Sequence, residues 1–302
     1  MAALRSAAAS NAQILAALTP PPNVVVVGGT AGIAGIGRAI ALSIGKYSPS
    51  ANITIIGRNQ SAADSVLATL GSRSKFLAAD ASLMSEIHAS LMSEIRNVTK
   101  KIDAVDILVL TQGILTMNGR TPTKEDIDTK LALHFYGRML FVQELLPLLR
   151  QSPSGGKVLF VLDSVNGNPS KVNWDDMALE KTYSLMGAAM HATTFTDVMI
   201  QYFASKPENE NITFTHAYPG AVRTTLSDSL PFYLRIPAKA VMALGVGTSP
   251  EDCAEYMVHG LLETKKGFRY VDNKGEPVTK AKQIDSDMIN KVWEHTSQII
   301  SR

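Results

Sequence analysis

The sequence predicts an α/β fold in which a doubly wound parallel sheet of about seven strands carries helices on both faces. Short apolar segments alternate with helical segments along the chain, as in βαβ units. Some of these segments, such as Ile107–Leu110, are apolar without alternation, which is typical of strands buried on both faces. A glycine-rich turn, 28–37, follows the first predicted strand at once.

The elements can be placed from their boundaries and their apolar pattern. Strands are predicted at 24–27, 52–57, 74–78, 106–110, 157–162, 212–216 and 268–271. Helices are predicted at 35–47, 61–71, 82–100, 124–150, 176–206, 249–264 and 284–300. No linker or low-complexity segment divides the chain, so 1–302 is predicted to be one domain.

Composition limits the function classes. The 302 residues are 45% hydrophobic and carry a net charge of +2 without a basic block, which argues against nucleic acid as a partner. The single cysteine, Cys253, excludes an intrachain disulfide and suits a reducing compartment, so we expect a cytoplasmic protein. No apolar run approaches the ~20 residues of a membrane span.

The N-terminal extension, 1–22, allows two interpretations. Met1–Leu18 is rich in alanine, has one arginine and lacks acids, as a transit peptide does. It also fits a helix that ends before Pro20-Pro21-Pro22, and we favour this second interpretation.

The glycine-rich turn predicts a dinucleotide site in a Rossmann-type sheet. Glycines allow a sharp turn and close approach of the backbone to a pyrophosphate, whose charge is held at the N-terminus of the next helix. The candidate residues here are Gly28, Thr30, Gly35, Ile36 and Gly37.

The end of the second strand indicates which nucleotide binds. Arg58 and Asn59 follow Gly57, where an acidic residue would bind the ribose hydroxyls of NAD. A cation there accommodates a ribose 2′-phosphate instead, so we predict NADP(H), although a solvated surface arginine is the alternative. Asp80, after the third strand, is a candidate adenine contact.

Further segments of the sequence resemble those of a known family. Thr111-Gln112-Gly113 ends the fourth strand, Asp163–Gly167 ends the fifth, and Tyr183 lies near the start of a long predicted helix, while Pro219–Thr224 follows the sixth strand. With the glycine turn, this order resembles the short-chain dehydrogenase/reductase superfamily along essentially the whole chain. The segments 130–138, 183–185 and 291–296 look like a divergent fungal branch found in secondary-metabolite pathways.

The resemblance implies roles for these residues. The loop Thr111, Gln112 and Gly113 would pack the adenine, and Pro219, Gly220, Val222 and Thr224 would meet the nicotinamide. Tyr183 would exchange a proton with the substrate oxygen, and Ser164 would hydrogen-bond that oxygen as charge develops on it.

The chain departs from the family pattern in four places. Gly187 stands where the family has a lysine that lowers the tyrosine pKa, and we predict that Tyr183 and Gly187 share one helix face. His134 replaces an asparagine and could either relay a proton or hold the helix. The glycine turn carries about three extra residues; we expect Gly35 to begin the helix and 32–34 to bulge. Thr111-Gln112-Gly113 replaces Asn-Asn-Ala-Gly.

Two hypotheses follow from the resemblance. The first is an NADP(H)-dependent ketoreductase acting on a hydrophobic, multi-ring natural product. Segment 221–248, rich in Leu, Pro, Phe and Tyr between Thr225 and Val246, would be its substrate lid or else a core-packing helix pair. The second is a redox-silent member of the fold, an isomerase, a cyclase or a regulatory module. A homo-oligomer is left open.

Overall fold

Seven parallel strands form one sheet in the order β3-β2-β1-β4-β5-β6-β7, which confirms the predicted fold class. A computed structural model describes residues 2–30, 35–79, 91–224 and 247–302. The strands are β1 (Asn23–Val27), β2 (Asn52–Gly57), β3 (Lys75–Ala78), β4 (Ile107–Leu110), β5 (Gly156–Val161), β6 (Ile212–Ala217) and β7 (Phe268–Val271).

The central strand is buried on both of its faces, as its unbroken valine run predicts. Val24 and Val26 face one core and Val25 and Val27 face the other, and none is more than 1% exposed. Strand order reverses between β1 and β4, and ligands of open α/β sheets bind at the carboxyl ends of the strands at such a point.

Helices cover both faces of the sheet. They are α1 (Ala2–Ala17), α2 (Ile36–Tyr47), α3 (Gln60–Leu70), α4 (Leu91–Thr99), α5 (Thr129–Leu131), α6 (Gly137–Leu149), α7 (Leu185–Ala204), α8 (Pro250–Glu263) and α9 (Ser286–Ile300). Helices α1, α2, α3 and α8 pack on one face, and α4, α6, α7 and α9 on the other. None of the described helices is both long and apolar enough to cross a membrane.

The N-terminal helix predicted before the proline run is present as α1 and packs against α8 and α2. Leu15 is buried in the core that these helices share. Fully buried Asn11 donates through Nδ2 to the Glu255 backbone oxygen at 2.8 Å and to its carboxylate at 2.9 Å. Helix α1 is therefore an integral layer of the domain.

The predicted helix 176–206 is too long at its N-terminal end, because α7 begins only at Leu185. The Asp176 carboxylate accepts hydrogen bonds from the backbone N–H groups of residues 180–182, which holds this segment in a loop. Ser184 then caps α7 by accepting from the Gly187 N–H.

Two other predicted helices differ from the structure. The prediction 124–150 becomes a helical stretch from Thr129 to Leu149, with a π-helical turn at Ala132–Tyr136 between α5 and α6. Of the prediction 82–100, the structure describes Leu91–Thr99 as α4. Asp80, the bulge 32–34 and the centre of the lid, 225–246, lie outside the described residues.

Candidate active site

Most of the predicted site residues within the described ranges lie on segments that follow the carboxyl ends of five strands. Parallel strands end at one edge of a sheet, so these segments share that edge. They are Gly28 and Thr30 after β1, Arg58 after β2, Thr111–Gly113 after β4, Ser164 after β5 and Pro219–Thr224 after β6.

The glycine turn packs directly on the segment that follows β4. Gly28 has a φ of +92°, and a Cβ there would lie 2.7 Å from both the Gln112 N and the Thr111 Oγ1. A Cβ on Gly37 would also collide with the Thr111 hydroxyl, which donates to the Val27 oxygen at 2.9 Å. Only glycine therefore allows the backbone to approach so closely.

Helix α2 begins at Ile36 with Gly35 as its N-cap, as predicted from the second glycine set. Gly35 has no side chain to cap the first backbone N–H groups of this helix. A glycine turn that leads into such a helix fits the pyrophosphate of a dinucleotide.

Arg58 is exposed and stands immediately after β2. The turn lies beside it, because a Cβ on the preceding residue, Gly57, would collide with the Thr30 side chain. Asn59 caps α3 through its side-chain oxygen, which accepts from the Ala62 N–H at 2.9 Å. Arg58 is thus placed next to the glycine turn.

Tyr183 lies just before α7 and packs against the start of α5. The Lys130 Nζ is 5.2 Å from the centroid of its ring. Burial raises the pKa of Tyr183 to about 12, and the nearby Asp128 carboxylate adds to the rise because it repels the phenolate. The residue is therefore a neutral phenol at physiological pH.

Ser164 is fully buried, and its hydroxyl donates to the backbone oxygen of Val271 at the end of β7 at 2.5 Å. The contacts of Tyr183 are with Asp128 and Lys130, at the start of α5. The described structure thus shows no contact between the two hydroxyls that were expected to share a substrate oxygen.

His134 lies in the π-helical turn, and its Nε2 accepts from the Ile114 N–H at 2.9 Å. Burial lowers the pKa of His134 to about 3, and the positive charges of Arg138 and Lys130 act in the same direction. Of the two interpretations from sequence, this geometry supports the one in which His134 holds the helix against the loop after β4.

Residues 22–231 match the family model for short chain dehydrogenases, which is more than half of the chain. The chain belongs to this family. A relative described as an oxidoreductase of Emericella nidulans is 32% identical over 89% of this chain and 80% of its own length. A short-chain dehydrogenase/reductase of Stachybotrys chartarum is 26% identical over 78% of this chain and 70% of its own.

Solved structures show the same fold at low identity. A putative short chain dehydrogenase of Escherichia coli, complexed with NADPH, matches with a TM-score of 0.58 and 17% identity. The match covers 84% of this short-chain dehydrogenase and 96% of that chain. The family model and the relative from Emericella nidulans establish an oxidoreductase of the short-chain dehydrogenase family.

The predicted alignment of Tyr183 and Gly187 on one helix face is wrong, because Tyr183 precedes the Ser184 cap and lies outside α7. A Cβ at Gly187 would lie 2.8 Å from the Ser184 Oγ and 3.6 Å from Leu179. A lysine introduced at this position would therefore disturb the helix cap. It is not expected to deliver its charge to the phenol.

Sequence reasoning missed Arg138, which is 1% exposed in α6. Its Nη1 donates to the Val161 oxygen at 2.9 Å and its Nη2 to the Gln112 oxygen at 2.6 Å. Burial lowers the pKa of Arg138 to about 9. The guanidinium thereby joins the carboxyl ends of β4 and β5, and an arginine within an apolar helix was the available signal.

The Pro219-Gly220 loop leads into the predicted lid, and the two ends of that segment are paired. Gly220 has a φ of +70°, and Val222 pairs with Thr248 in an isolated bridge. The Thr248 N–H donates to the Ala221 oxygen at 2.8 Å, and the Arg223 N–H donates to the Thr248 oxygen at 3.0 Å. The described residues on either side of 225–246 therefore meet at one point.

Proposed function

We propose that this short-chain dehydrogenase uses NADP(H) to reduce a ketone of a hydrophobic, multi-ring natural product, with Tyr183 as the proton donor. The observation that carries the proposal is the contact of the Tyr183 ring with the buried lysine Lys130, in surroundings that raise the pKa of the phenol. A neutral phenol can act as an acid toward a carbonyl oxygen, whereas alcohol oxidation needs the phenolate as a base.

The chain offers residues that fit NADP(H). The turn 28–37 would hold the pyrophosphate and Arg58 the 2′-phosphate. Thr111–Gly113 would pack the adenine, while Pro219, Gly220, Val222 and Thr224 would contact the nicotinamide. When bound, NADPH supplies a hydride to the carbonyl carbon. Tyr183 would give its phenolic proton to the carbonyl oxygen, which completes the alcohol and leaves a phenolate.

A hydrophobic substrate is supported by exposed apolar side chains on the segments that carry Tyr183 and Gly119. Met186, in the first turn of α7, is 80% exposed. Met117 is 50% exposed and lies two residues before Gly119, whose backbone oxygen accepts a hydrogen bond from the Lys130 Nζ. Exposed apolar side chains on segments that border a site favour an apolar ligand. Natural products are proposed because relatives such as those of Emericella and Stachybotrys are fungal oxidoreductases.

The test is to incubate the purified protein with NADPH and a panel of ring ketones and to follow the absorbance of the reduced nicotinamide. Tyr183→Phe should lower turnover by at least ~10²-fold and leave NADPH affinity within a few-fold, because the variant lacks only the acid. Tyr202→Phe, the same change near the C-terminal end of α7, is the control and should keep wild-type turnover. Wild-type turnover in Tyr183→Phe would contradict the proposal.

The buried hydroxyl of Ser164 favours a second candidate, the redox-silent member that binds a substrate without hydride transfer. Under that hypothesis no ketone should oxidise NADPH, although ligands from the panel should still raise the thermal stability of the protein. If ketones are reduced, Ser164→Ala distinguishes a role in oxyanion binding from a structural one. A role in oxyanion binding would make turnover fall by ~10²-fold. A structural role would lower stability with turnover per folded molecule retained.

A further inference from the structure

Lys130 is a buried lysine whose ammonium group lies against Tyr183. Its side chain is 8% exposed, and its Nζ lies 3.3 Å from the Gly119 oxygen and 3.9 Å from the Asp128 carboxylate. The Tyr183 ring centroid is 5.2 Å from the same Nζ. A lysine is rarely buried to this degree without partners, and these three contacts fix the position of the Lys130 ammonium group.

The frame around Lys130 is fixed by backbone hydrogen bonds. Asp128 is fully buried and accepts from the N–H groups of Thr121, Lys130 and Leu131, which caps α5. The π-helical turn that follows is held to the loop after β4 through His134. Lys130 therefore lies on a segment that is hydrogen-bonded, through His134, to the loop at the carboxyl edge of the sheet.

The position where the family places a lysine cannot supply this charge here. Gly187 has no side chain, and the space beside it is occupied by the Ser184 hydroxyl. Arg138 is engaged with the Gln112 and Val161 oxygens. Among the described residues, Lys130 is the cation found in contact with the Tyr183 ring, and Asp128 is the carboxylate that acts on its phenol.

We propose that Lys130 is a positioning residue that stabilises the phenolate of Tyr183, formed when its proton moves to the substrate oxygen. The inference rests on the proposed function of Tyr183 as the proton donor. The O–H bond of the phenol breaks and an O–H bond forms on the substrate. The negative charge left on the ring is then attracted by the ammonium group until a proton from solvent restores the phenol.

The test replaces Tyr183 with a fluorinated tyrosine, whose phenol titrates several pH units lower, and follows its ionisation by fluorine NMR. Lys130→Gln keeps a donor for the Gly119 oxygen but removes the charge. It should raise the pKa of this phenol by about one unit or more, as expected for loss of a cation at this distance. Lys130→Arg keeps the positive charge, so the pKa of the phenol should stay close to its value in the protein with Lys130.

The matched control is Lys206→Gln, because the Lys206 Nζ lies 4.1 Å from the centroid of the Tyr202 ring, far along the same helix. It should leave the titration at position 183 unchanged. If Lys130→Gln loses its circular dichroism signal, Lys130→Met is measured in its place. An unchanged titration in a folded Lys130 variant would overturn the inference.

The two proposals fail in different ways. Wild-type turnover in Tyr183→Phe would remove the proposed function whatever the NMR titration shows. If Tyr183→Phe is inactive but Lys130→Gln leaves the pKa of the phenol at position 183 unchanged, Tyr183 is still the proton donor. In that case Lys130 does not stabilise its phenolate. With both proposals correct, Lys130→Gln should also lower ketone reduction by at least ~10-fold, and Lys130→Arg should lower it less.

Discussion

A single side chain can have a function that its residue type does not indicate, and His134 shows this. Histidine commonly titrates near neutral pH, which made a proton relay one of two interpretations. In the structure its ring accepts from the Ile114 N–H, and burial lowers its pKa to about 3. The ring is therefore uncharged above that pH and serves as a fixed acceptor.

The proposed role of Arg58 gives a second prediction, because a cation beside the glycine turn should select the phosphorylated cofactor if that turn holds the pyrophosphate. Isothermal titration should show NADPH binding more tightly than NADH. Arg58→Ala should narrow the difference in binding free energy by about 1–3 kcal/mol, the magnitude of a charge-assisted hydrogen bond. Arg58→Asp should invert the preference.

Arg73→Ala is the control for Arg58, because Arg73 is an exposed arginine in the turn before β3, at the opposite edge of the sheet. It should leave the preference between the cofactors unchanged. Equal affinity of the wild-type protein for NADPH and NADH would defeat the assignment of Arg58.

The predicted bounds of the strands agree better with the structure than those of the helices. The strand predictions agree with the structure to within two residues at each end, because buried strands are marked by their own apolar residues. The prediction for helix α7 begins nine residues too early, since the loop before it is held by the Asp176 carboxylate. Capping by a side chain several residues away leaves little trace in apolar periodicity.

The hydrogen bonds that attach α1 to α8 give a prediction about the stability of the protein. The Asn11 amide joins α1 to Glu255 of α8, whose carboxylate also accepts from Ser43 at 3.1 Å and Tyr47 at 3.0 Å. Asn11→Ala should lower the free energy of unfolding by about 1–3 kcal/mol, because it leaves buried acceptors unpaired. Urea denaturation measures the change.

The matched variant for Asn11 is Asn97→Ala, since Asn97 is an exposed asparagine within α4. It should change the unfolding free energy by no more than about 0.5 kcal/mol. Limited proteolysis should also cleave α1 faster in Asn11→Ala. Identical unfolding curves for the two variants would show that α1 is held by its apolar contacts alone.

At the scale of the whole molecule, a buried ionic network connects distant parts of the chain. The Asp197 carboxylate, on α7, contacts the Nδ1 of His216, on β6, at 2.7 Å and also binds the Nζ of Lys282, which follows β7. Tyr270 adds a hydrogen bond from its hydroxyl to the Asp197 backbone oxygen at 2.8 Å. Burial lowers the pKa of His216, although Asp197 opposes this shift.

Removing the Lys282 charge should therefore be costly. Lys282→Met leaves a buried carboxylate without its ammonium partner and should lower the free energy of unfolding by about 3–5 kcal/mol. Lys265→Met is the control, because Lys265 pairs with Glu263 at the surface at 3.6 Å with 62% of its side chain exposed. That exposed pair should be worth at most about 1 kcal/mol.

A double-mutant cycle separates the ion pair from the packing around Lys282. Asp197→Asn combined with Lys282→Met should be less destabilising than the sum of the two single changes, because the double variant buries no unpaired charge. Strict additivity in urea denaturation would show that Lys282 contributes through packing instead.

The sequence by itself determined the seven strands, the glycine turn with its helix beginning at Ile36, and the position of Arg58 after β2. Each follows from neighbouring residues, since burial pattern and backbone freedom are local properties. Only the tertiary structure decided that Ser164 binds the Val271 oxygen, that Lys130 lies against Tyr183, and that Asp197 meets Lys282. These partners are separated by tens of residues or more, and their contacts arise only when the sheet and its helices pack together.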